Sequence, residues 1–298
     1  MIDSKNVIII GILVVLVICI VILCVYIGIS SSKCNFEHDG PATHADAGTI
    51  NERGFRKNTY KESYSPESLT RTIQRLREKS EFKTVGVPSD NNRWSGLVDQ
   101  IYIISIGNKW KDNYDEELGF SGLLTVFETV RLETIPGQPF DFSPSPNLAG
   151  CHLGHALCAD HAQKHDFDKI IIMEDDCMFT KRISDEEIAE LCDLIKRYNP
   201  SMVNLGPLTH NDTEQWNKKA NMDLYEKRSD GSHFTYLSRD GMKQITETLT
   251  RYPDDDIELG RWFGADDFWA NVATNIFTLV VPDDQCWATQ RGNHNTRT

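Results

Sequence analysis

Three consecutive carboxylates follow a short apolar run in the middle of the chain. Residues 170–173 are all apolar and lead directly into Glu174, Asp175 and Asp176. Such a run is typical of a strand buried on both faces of a parallel sheet, and ligands of open sheets collect at the carboxyl ends of strands. Adjacent carboxylates repel one another unless a cation lies among them, and oxygen ligands suit Mg²⁺ or Mn²⁺. The alternative is a plain solvated acidic turn.

Strand geometry divides these three carboxylates between two directions. Side chains alternate along a strand, so Glu174 and Asp176 are expected to face one way and Asp175 the other. We therefore expect Asp176 and Glu174 to be the metal ligands.

Other catalytic signatures are missing from the sequence. It has no GxxxxGK[ST] phosphate loop, no GxGxxG after a strand, no GxSxG elbow and no HExxH motif. Four histidines do lie close together, at His152, His155, His161 and His165. His161 and His165 are one helical turn apart, but no acidic partner follows at the spacing of a zinc protease. A polar helix face is the favoured explanation for all four.

The first part of the chain is unlike the rest. Residues 7–29 carry no charge and are long enough to span a bilayer, which predicts a single-pass anchor after a tail of residues 1–6. A cleaved signal peptide is the alternative, and the uninterrupted apolar length disfavours it. The charges on either side of residues 7–29 give only a weak preference for one orientation of the anchor in the membrane. We expect the bulk of the chain to lie outside the cytosol.

Charge and cysteine content narrow the class of protein. The formal net charge of −13 disfavours nucleic acid as a partner, because phosphate binding needs a basic surface. The eight cysteines form no CxxC pair and have no regular spacing. Neither a zinc framework nor a disulfide scaffold is therefore indicated, and the redox state of the compartment stays open.

Residues 30–96 are predicted to be a stem. Their first half lacks hydrophobic periodicity. One helix is expected within them, with Ser65 as its N-cap, Pro66 at its first position, and Leu69, Ile73 and Leu76 on one stripe.

From about residue 97 strand-like and helix-like segments alternate. Besides the acidic strand, buried strands are predicted at 100–106, 127–135 and 276–282, and a helix at 148–166. The clearest helix follows Ser184, which forms a capping box with Glu187. This alternation predicts a three-layer α/β domain with a mostly parallel central sheet over residues 97–298.

Five stretches of this domain resemble glycosyltransferase family 25, which includes bacterial lipopolysaccharide β-galactosyltransferases and procollagen galactosyltransferases. In family order they are IYIISI (101–106), FETVRLETI (127–135), NLAGCHLGH (147–155), KIIIMEDD (169–176) and FTYLSRDGMKQI (234–245). The sequence departs from the family after the first strand, where Gly107, Asn108 and Lys109 replace an Asp-Arg pair and a further Arg.

The resemblance implies a GT-A-like fold, a nucleotide-sugar donor (a UDP-sugar above all) and Mn²⁺ or Mg²⁺ at the acidic motif. It implies that Glu174, Asp175, His155 and Ser238 bind the nucleotide-sugar. The acceptor is then a glycan, a lipid or a protein. The metal would stabilise the negative charge that develops on the departing diphosphate.

An inverting transfer also needs a base for the acceptor hydroxyl. The segment GADDFWAN (264–271) offers Asp267 as that base and Asp266 as its substitute. Trp262 and Trp269 are expected to flank the acceptor sugar, because aromatic faces pack against sugar rings. The alternative for this segment is an ordinary capped helix with core aromatics.

Two other functions stay open. One is a metal-dependent phosphodiester or pyrophosphate hydrolase, which would also use a strand that ends in carboxylates. The other is a sugar-binding or envelope protein that kept the fold and lost turnover, and the altered segment after the first strand keeps it open.

Overall fold

The computed structural model describes residues 66–85, 93–112, 124–132, 146–207, 221–226, 231–251, 268–269, 272–281 and 287–290. All of them lie in one compact unit, 48–298. No helix within these ranges has both the length and the apolar character of a membrane span. The anchor predicted for residues 7–29 lies outside the described residues.

Four α-helices and ten strands make up the described part of the chain. The helices are α1 (Pro66–Glu78), α2 (Pro146–Lys164), α3 (Asp185–Tyr198) and α4 (Arg239–Thr246). The strands are β1 (Glu81–Val85), β2 (Gln100–Ile106), β3 (Leu124–Thr129), β4 (Lys169–Glu174), β5 (Cys177–Phe179), β6 (Met202–Asn204), β7 (Asp223–Tyr225), β8 (Phe234–Ser238), β9 (Ile276–Val280) and β10 (Ala288–Gln290). Short 3₁₀ helices cover Lys109–Asp112 and Glu247–Leu249.

Eight strands form one open sheet in the order β1-β3-β2-β4-β8-β6-β9-β7, and β5 pairs with β10 in a separate two-stranded sheet. The prediction of a mostly parallel sheet is wrong. The pairs β2–β3, β2–β4 and β6–β9 are parallel, whereas β1–β3, β4–β8, β6–β8 and β7–β9 are antiparallel. Parallel neighbours need a crossover, usually a helix. Between β6 and β8 the described chain supplies strand β7 instead of a helix.

Helices cover both faces of the sheet, as the three-layer prediction requires. Tyr102 and Ile104 of β2 point into a core that also holds side chains of α1, α2 and α4. Ile101 and Ile103, the alternate residues, point into a second core with the apolar stripe of α3. This is the pattern expected of a strand buried on both faces. The capping box predicted for α3 is present, since Ser184 and Glu187 exchange side-chain and backbone hydrogen bonds.

The described part of the predicted stem belongs to this domain. The predicted helix is present as α1, but its stripe is buried: Leu69, Ile73 and Leu76 are 3%, 5% and 1% exposed. Strand β1 pairs with β3 along its whole length. Trp94 is fully buried in the second core. The packed domain therefore begins at or before residue 66 and not at 97.

Strands β2 and β4 are tied together at both ends. At their beginning, the Asp99 carboxylate accepts hydrogen bonds from the backbone N–H groups of Asp168 and Lys169, at 2.8 and 2.9 Å. At their end, Asp175 Oδ2 accepts a hydrogen bond of 2.9 Å from the backbone N–H of Ile106. The parallel ladder between the two strands lies between these ties.

Candidate functional site

The three carboxylates lie where the chain changes direction across the sheet. From β2 the chain first forms β3 on one side, and it then passes through α2 to β4 on the other side. The carboxyl ends of β2 and β4 are adjacent, with Ile104 opposite Glu174. In open α/β sheets, ligands bind at such a switch point, outside the carboxyl ends of the strands. The acidic turn therefore occupies the place where this fold class binds ligands.

Asp175 connects the acidic turn to the end of β2. Its carboxylate accepts the Ile106 N–H and lies 3.3 Å from the hydroxyl of Ser105. The same hydroxyl lies 3.0 Å from the Gly107 carbonyl and accepts the Trp110 N–H at 3.1 Å. Gly107 has a φ of +67°, which glycine adopts without strain. Asp175 thus fixes the loop after β2, the segment in which the sequence departs from family 25.

Glu174 faces helix α2, away from the β2 loop that Asp175 contacts. Its Oε1 lies 3.1 Å from Cys151 Sγ and 3.4 Å from His155 Nε2, and it accepts a 2.9 Å hydrogen bond from Ser232. Cys151 and His155 are one turn apart on α2. We call Cys151, His155 and Glu174 the Cys-His-Glu cluster. Glu174 and Asp175 contact different elements, as predicted. Strand β4 ends at Glu174, so strand alternation does not extend to Asp176, and Asp176 does not join Glu174 in the Cys-His-Glu cluster.

Glu174 is held in its ionised form. Burial by itself would raise the pKa of its carboxyl group, but the hydrogen bond and charge of His155, with the donors Cys151 and Ser232, lower that pKa to about 2. Its side chain is only 17% exposed. A carboxylate that stays ionised at every physiological pH is unsuited to proton transfer near neutrality. Glu174 is suited instead to binding a cation or a hydrogen-bond donor.

Ser238 lies at the opposite edge of the sheet. It pairs with Lys169, the first residue of β4, because β8 runs antiparallel to β4. Five residues of strand, about 16 Å, separate that position from Glu174. Ser238 is the N-cap of α4, where its hydroxyl accepts from the Gly241 N–H. The structure therefore does not bring Ser238 to the acidic turn, because β8 runs antiparallel to β4 and ends beside the first residue of β4.

The aromatic residue Trp269 belongs to the core. It is 4% exposed and its ring lies 5.0 Å from that of Phe268. The described structure therefore supports the core-aromatic alternative for Trp269 and not a place beside an acceptor sugar. The other three residues assigned to acceptor binding and catalysis lie outside the described residues; they are Trp262, Asp266 and Asp267.

His161, in the last turn of α2, and His165, the first residue after the helix, pack against aromatic rings and against each other. His161 stacks on Phe82 with ring centroids 4.0 Å apart, and its Nδ1 lies 2.9 Å from the Tyr102 hydroxyl. His165 packs against His161 in turn, at 4.4 Å. The polar helix face expected for all four histidines is wrong for His152 and His155, which are both 0% exposed. The ring contacts of His161 and His165 account for that pair without a metal ion.

A cavity of about 390 Å³ opens beside the acidic turn. It lies at the ends of β2 and β3 and at the start of β1, and sequence reasoning did not find it. Its lining residues are Lys79, Glu81, Ile106, Gly107, Glu128, Thr129, Val130 and Arg131. Ile106, the residue tied to Asp175, is one of the exposed large apolar side chains in the described structure. The volume falls within the usual range of small-molecule sites, about 300–1,000 Å³.

The donor set fits the predicted Mn²⁺ or Mg²⁺ only in part. Asp176 supplies a hard carboxylate at the switch point, as these ions prefer. Glu174 instead faces a thiol, an imidazole and a hydroxyl, and Asp175 is engaged with β2. Among the described residues, one group of three donor side chains lies close enough together to hold a metal ion, and that group is the Cys-His-Glu cluster. Asp176 is not part of that group.

Comparisons with known proteins identify no family. No protein-family model matches the chain, and no curated protein matches it. Among solved structures it is similar to one titled "Crystal Structure of A197 from STIV", at 11% identity over 62% of this chain and 94% of that one, with a TM-score of 0.32. A likeness at that score carries no argument about fold or function.

Proposed function

We propose that the protein is a glycosyltransferase that moves a hexose from a nucleotide-sugar to a glycan, lipid or protein acceptor, anchored in a membrane through residues 7–29. The observation that carries this proposal is the position of the acidic turn 174–176 at the sheet's switch point. A diphosphate bound there lies at the carboxyl ends of β2 and β4, where α/β folds bind nucleotides. The resemblance of five sequence stretches to family 25 points to the same chemistry.

The cavity beside β2 supports a donor of nucleotide size. Ile106 lines the cavity and also donates its backbone N–H to the Asp175 carboxylate, so this one residue connects the cavity with the acidic turn. The apolar side chains of Ile106 and Val130 suit a base and its ribose, and the lining balances the cations Lys79 and Arg131 with two carboxylates, Glu81 and Glu128. We therefore assign the nucleoside to the cavity and the diphosphate to the acidic turn.

Mn²⁺ or Mg²⁺ in this proposal is held by Asp176, and bound there it would neutralise the charge of the leaving diphosphate. Asp175 keeps the loop after β2 in place, so its role is to shape the donor site. Asp267, with Asp266 as its substitute, takes the proton of the acceptor hydroxyl in an inverting transfer. Glu174 is removed from this oxygen-only metal site because its carboxylate faces α2.

Thermal denaturation with a panel of nucleotide-sugars, with and without Mn²⁺, tests the donor assignment. A donor at 100 times its Kd should stabilise the protein by about 2.7 kcal/mol. Asp176→Asn should abolish the part of this shift that needs Mn²⁺. Asp193→Asn is the matched control, since that carboxylate is 72% exposed on α3. If no nucleotide-sugar raises the melting temperature, or if both variants respond alike, the assignment is refuted.

Transfer assays with the donor found in this way test the base. Asp267→Asn should lower the rate of transfer by roughly 10²–10⁴ while donor binding stays unchanged. Full transfer activity in both Asp266→Asn and Asp267→Asn would remove the base from this segment.

A metal-dependent hydrolase is the second candidate, and the Cys-His-Glu cluster favours it. Such enzymes need additional metal ligands near the acidic strand end, and α2 brings two side chains, Cys151 and His155, to Glu174. Release of free sugar or of nucleoside monophosphate without any acceptor, at a rate that no acceptor increases, would favour hydrolysis over transfer.

A further inference from the structure

Three different donor atoms converge at the end of β4. Cys151 Sγ and His155 Nε2 lie 3.1 and 3.4 Å from Glu174 Oε1, and all three atoms lie within 4.8 Å of one another. In a tetrahedral zinc site, bonds of about 2.3 Å to sulfur and about 2.0 Å to nitrogen or oxygen place neighbouring ligands roughly 3.3–3.6 Å apart. The spacing in the cluster is therefore close to the spacing that a bound ion of this size requires.

The fold positions these donors with little freedom. Cys151 and His155 share one face of α2, and the intervening Gly154 allows α2 to approach β2, since a Cβ there would lie 3.2 Å from the side chain of Ile104. The His155 side chain is fully buried. Glu174 is the last residue of β4 and is fixed by the backbone ladder. The three side chains meet because two regular elements are packed together and not through a mobile loop.

The imidazole of His155 has few partners for a fully buried group. Its Nε2 makes the single 3.4 Å contact with Glu174, which is long for a hydrogen bond. Its Nδ1 has no hydrogen-bond partner in the part of the chain that the structure describes. Buried polar atoms are nearly always satisfied, so the long contact at Nε2, the ring atom that faces Glu174, calls for a closer partner such as a bound ion. An ion at this place would satisfy Nε2 and would leave the environment of Nδ1 unchanged.

We infer that Cys151, His155 and Glu174 form a binding site for a divalent transition metal of the Zn²⁺ type. Thiolate and imidazole ligands select zinc and related ions over Mg²⁺ and Mn²⁺. Three protein ligands leave a fourth position for water or a substrate oxygen, as in catalytic zinc sites. The Ser232 hydroxyl lies beside this position, 2.9 Å from Glu174 Oε1 and 3.7 Å from Cys151 Sγ. Binding would release the thiol proton of Cys151.

This site is separate from the oxygen site assigned to Asp176, and it does not depend on the proposed transfer reaction. The competing explanation is a hydrogen-bonded lock in which the Cys151 thiol and the Ser232 hydroxyl donate to Glu174 without any metal. The two explanations differ in whether the protein binds metal, and this can be measured without a substrate.

Titration of the full-length chain with Co²⁺, after removal of metals by a chelator, tests the inference. Co²⁺ replaces Zn²⁺ in such sites and gives a thiolate-to-metal charge-transfer band when sulfur is a ligand. The wild-type protein should show this band with one equivalent of Co²⁺, and Zn²⁺ should abolish it by displacement. Cys151→Ser should remove the band. Glu174→Gln and His155→Gln should weaken binding by more than tenfold, because loss of even an outer-shell partner costs about 10–100-fold.

Cys192→Ser is the matched control. Cys192 is a free, partly buried cysteine of α3 that packs against the other core, so its loss should leave the band unchanged. A wild-type protein without the band, or a band that survives in Cys151→Ser, would overturn the site. The wild-type result does not depend on the folding of any variant. The melting temperature of each variant without metal separates loss of a ligand from loss of the fold.

Discussion

Replacement of Leu76 by alanine tests whether α1 is part of the domain core. Leu76 is 1% exposed and lies in the core that also holds Phe127 and Leu157. Truncation of a buried leucine to alanine costs about 2–5 kcal/mol, the larger values applying where the surroundings cannot collapse. For a domain of this size, each kcal/mol corresponds to roughly 2–4 °C. We therefore expect the melting temperature to fall by about 4–20 °C.

The assay compares thermal and urea denaturation of a chain that begins at residue 48 and carries Leu76→Ala or Arg71→Ala. Arg71 lies on the exposed face of the same helix, so its replacement should change stability by less than about 0.5 kcal/mol. If the two variants melt at the same temperature, α1 is not packed as described. Both measurements must report one cooperative transition for this comparison to hold.

The same reasoning predicts the fate of a chain that starts at residue 97. It lacks Leu69, Ile73 and Leu76, whose burial contributes about 1.5–3 kcal/mol each, or roughly 5–9 kcal/mol together. Typical domains have a total stability of about 5–15 kcal/mol. The shortened chain should therefore unfold or aggregate, whereas a chain that starts at residue 48 should stay soluble. Equal solubility and melting of both chains would refute the revised domain boundary.

Two further predictions concern packing and pH. Gly241→Ala should destabilise the domain by about 1–3 kcal/mol or more, because the new Cβ would overlap the backbone carbonyl oxygen of Ser201. Urea denaturation measures this loss of stability, and Lys243→Ala, a replacement in the same helix, is the control. Equal urea midpoints for the two variants would contradict the prediction. Burial, and to a smaller extent the charge of His165, lowers the pKa of His161. The folded state therefore disfavours protonation of His161. This contribution to stability should be complete above about pH 6.5, the ordinary pKa of histidine, and should decline as the pH falls below it. His161→Phe should reduce this pH dependence in thermal melts between pH 7 and 5, and an unchanged dependence would show that other groups cause it.

Local signals explain what the sequence predicted well. The apolar runs of β2 and β4 are sufficient to mark strands buried on both faces. The capping box of Ser184 and Glu187 fixes the start of α3 through contacts three residues apart. Each of these features depends on neighbours in sequence, so the chain reveals it without knowledge of the fold.

The features that were missed depend on distant partners. The apolar stripe of α1 could pack against any apolar surface, so the sequence does not show what it contacts. Only its packing in the core identifies α1 as part of the domain. The direction of β8 depends on its connections in the fold. Because β8 runs antiparallel to β4, Ser238 lies beside the first residue of β4 and not beside the acidic turn. The Cys-His-Glu cluster had one local signal, the spacing of Cys151 and His155 by one helical turn. Its third member becomes recognisable only when α2 is placed over the end of β4.

The ties at both ends of β2 and β4 have a consequence for the order in which the protein opens. Native-state hydrogen exchange is slowest where backbone hydrogen bonds break only on global unfolding. Asp99 closes one end of the β2–β4 ladder and Asp175 closes the other, so neither end can fray. We expect the amides of these two strands to exchange last. The acidic turn is then carried by the slowest-exchanging part of the domain, and motions that admit or release a ligand must occur in the surrounding segments.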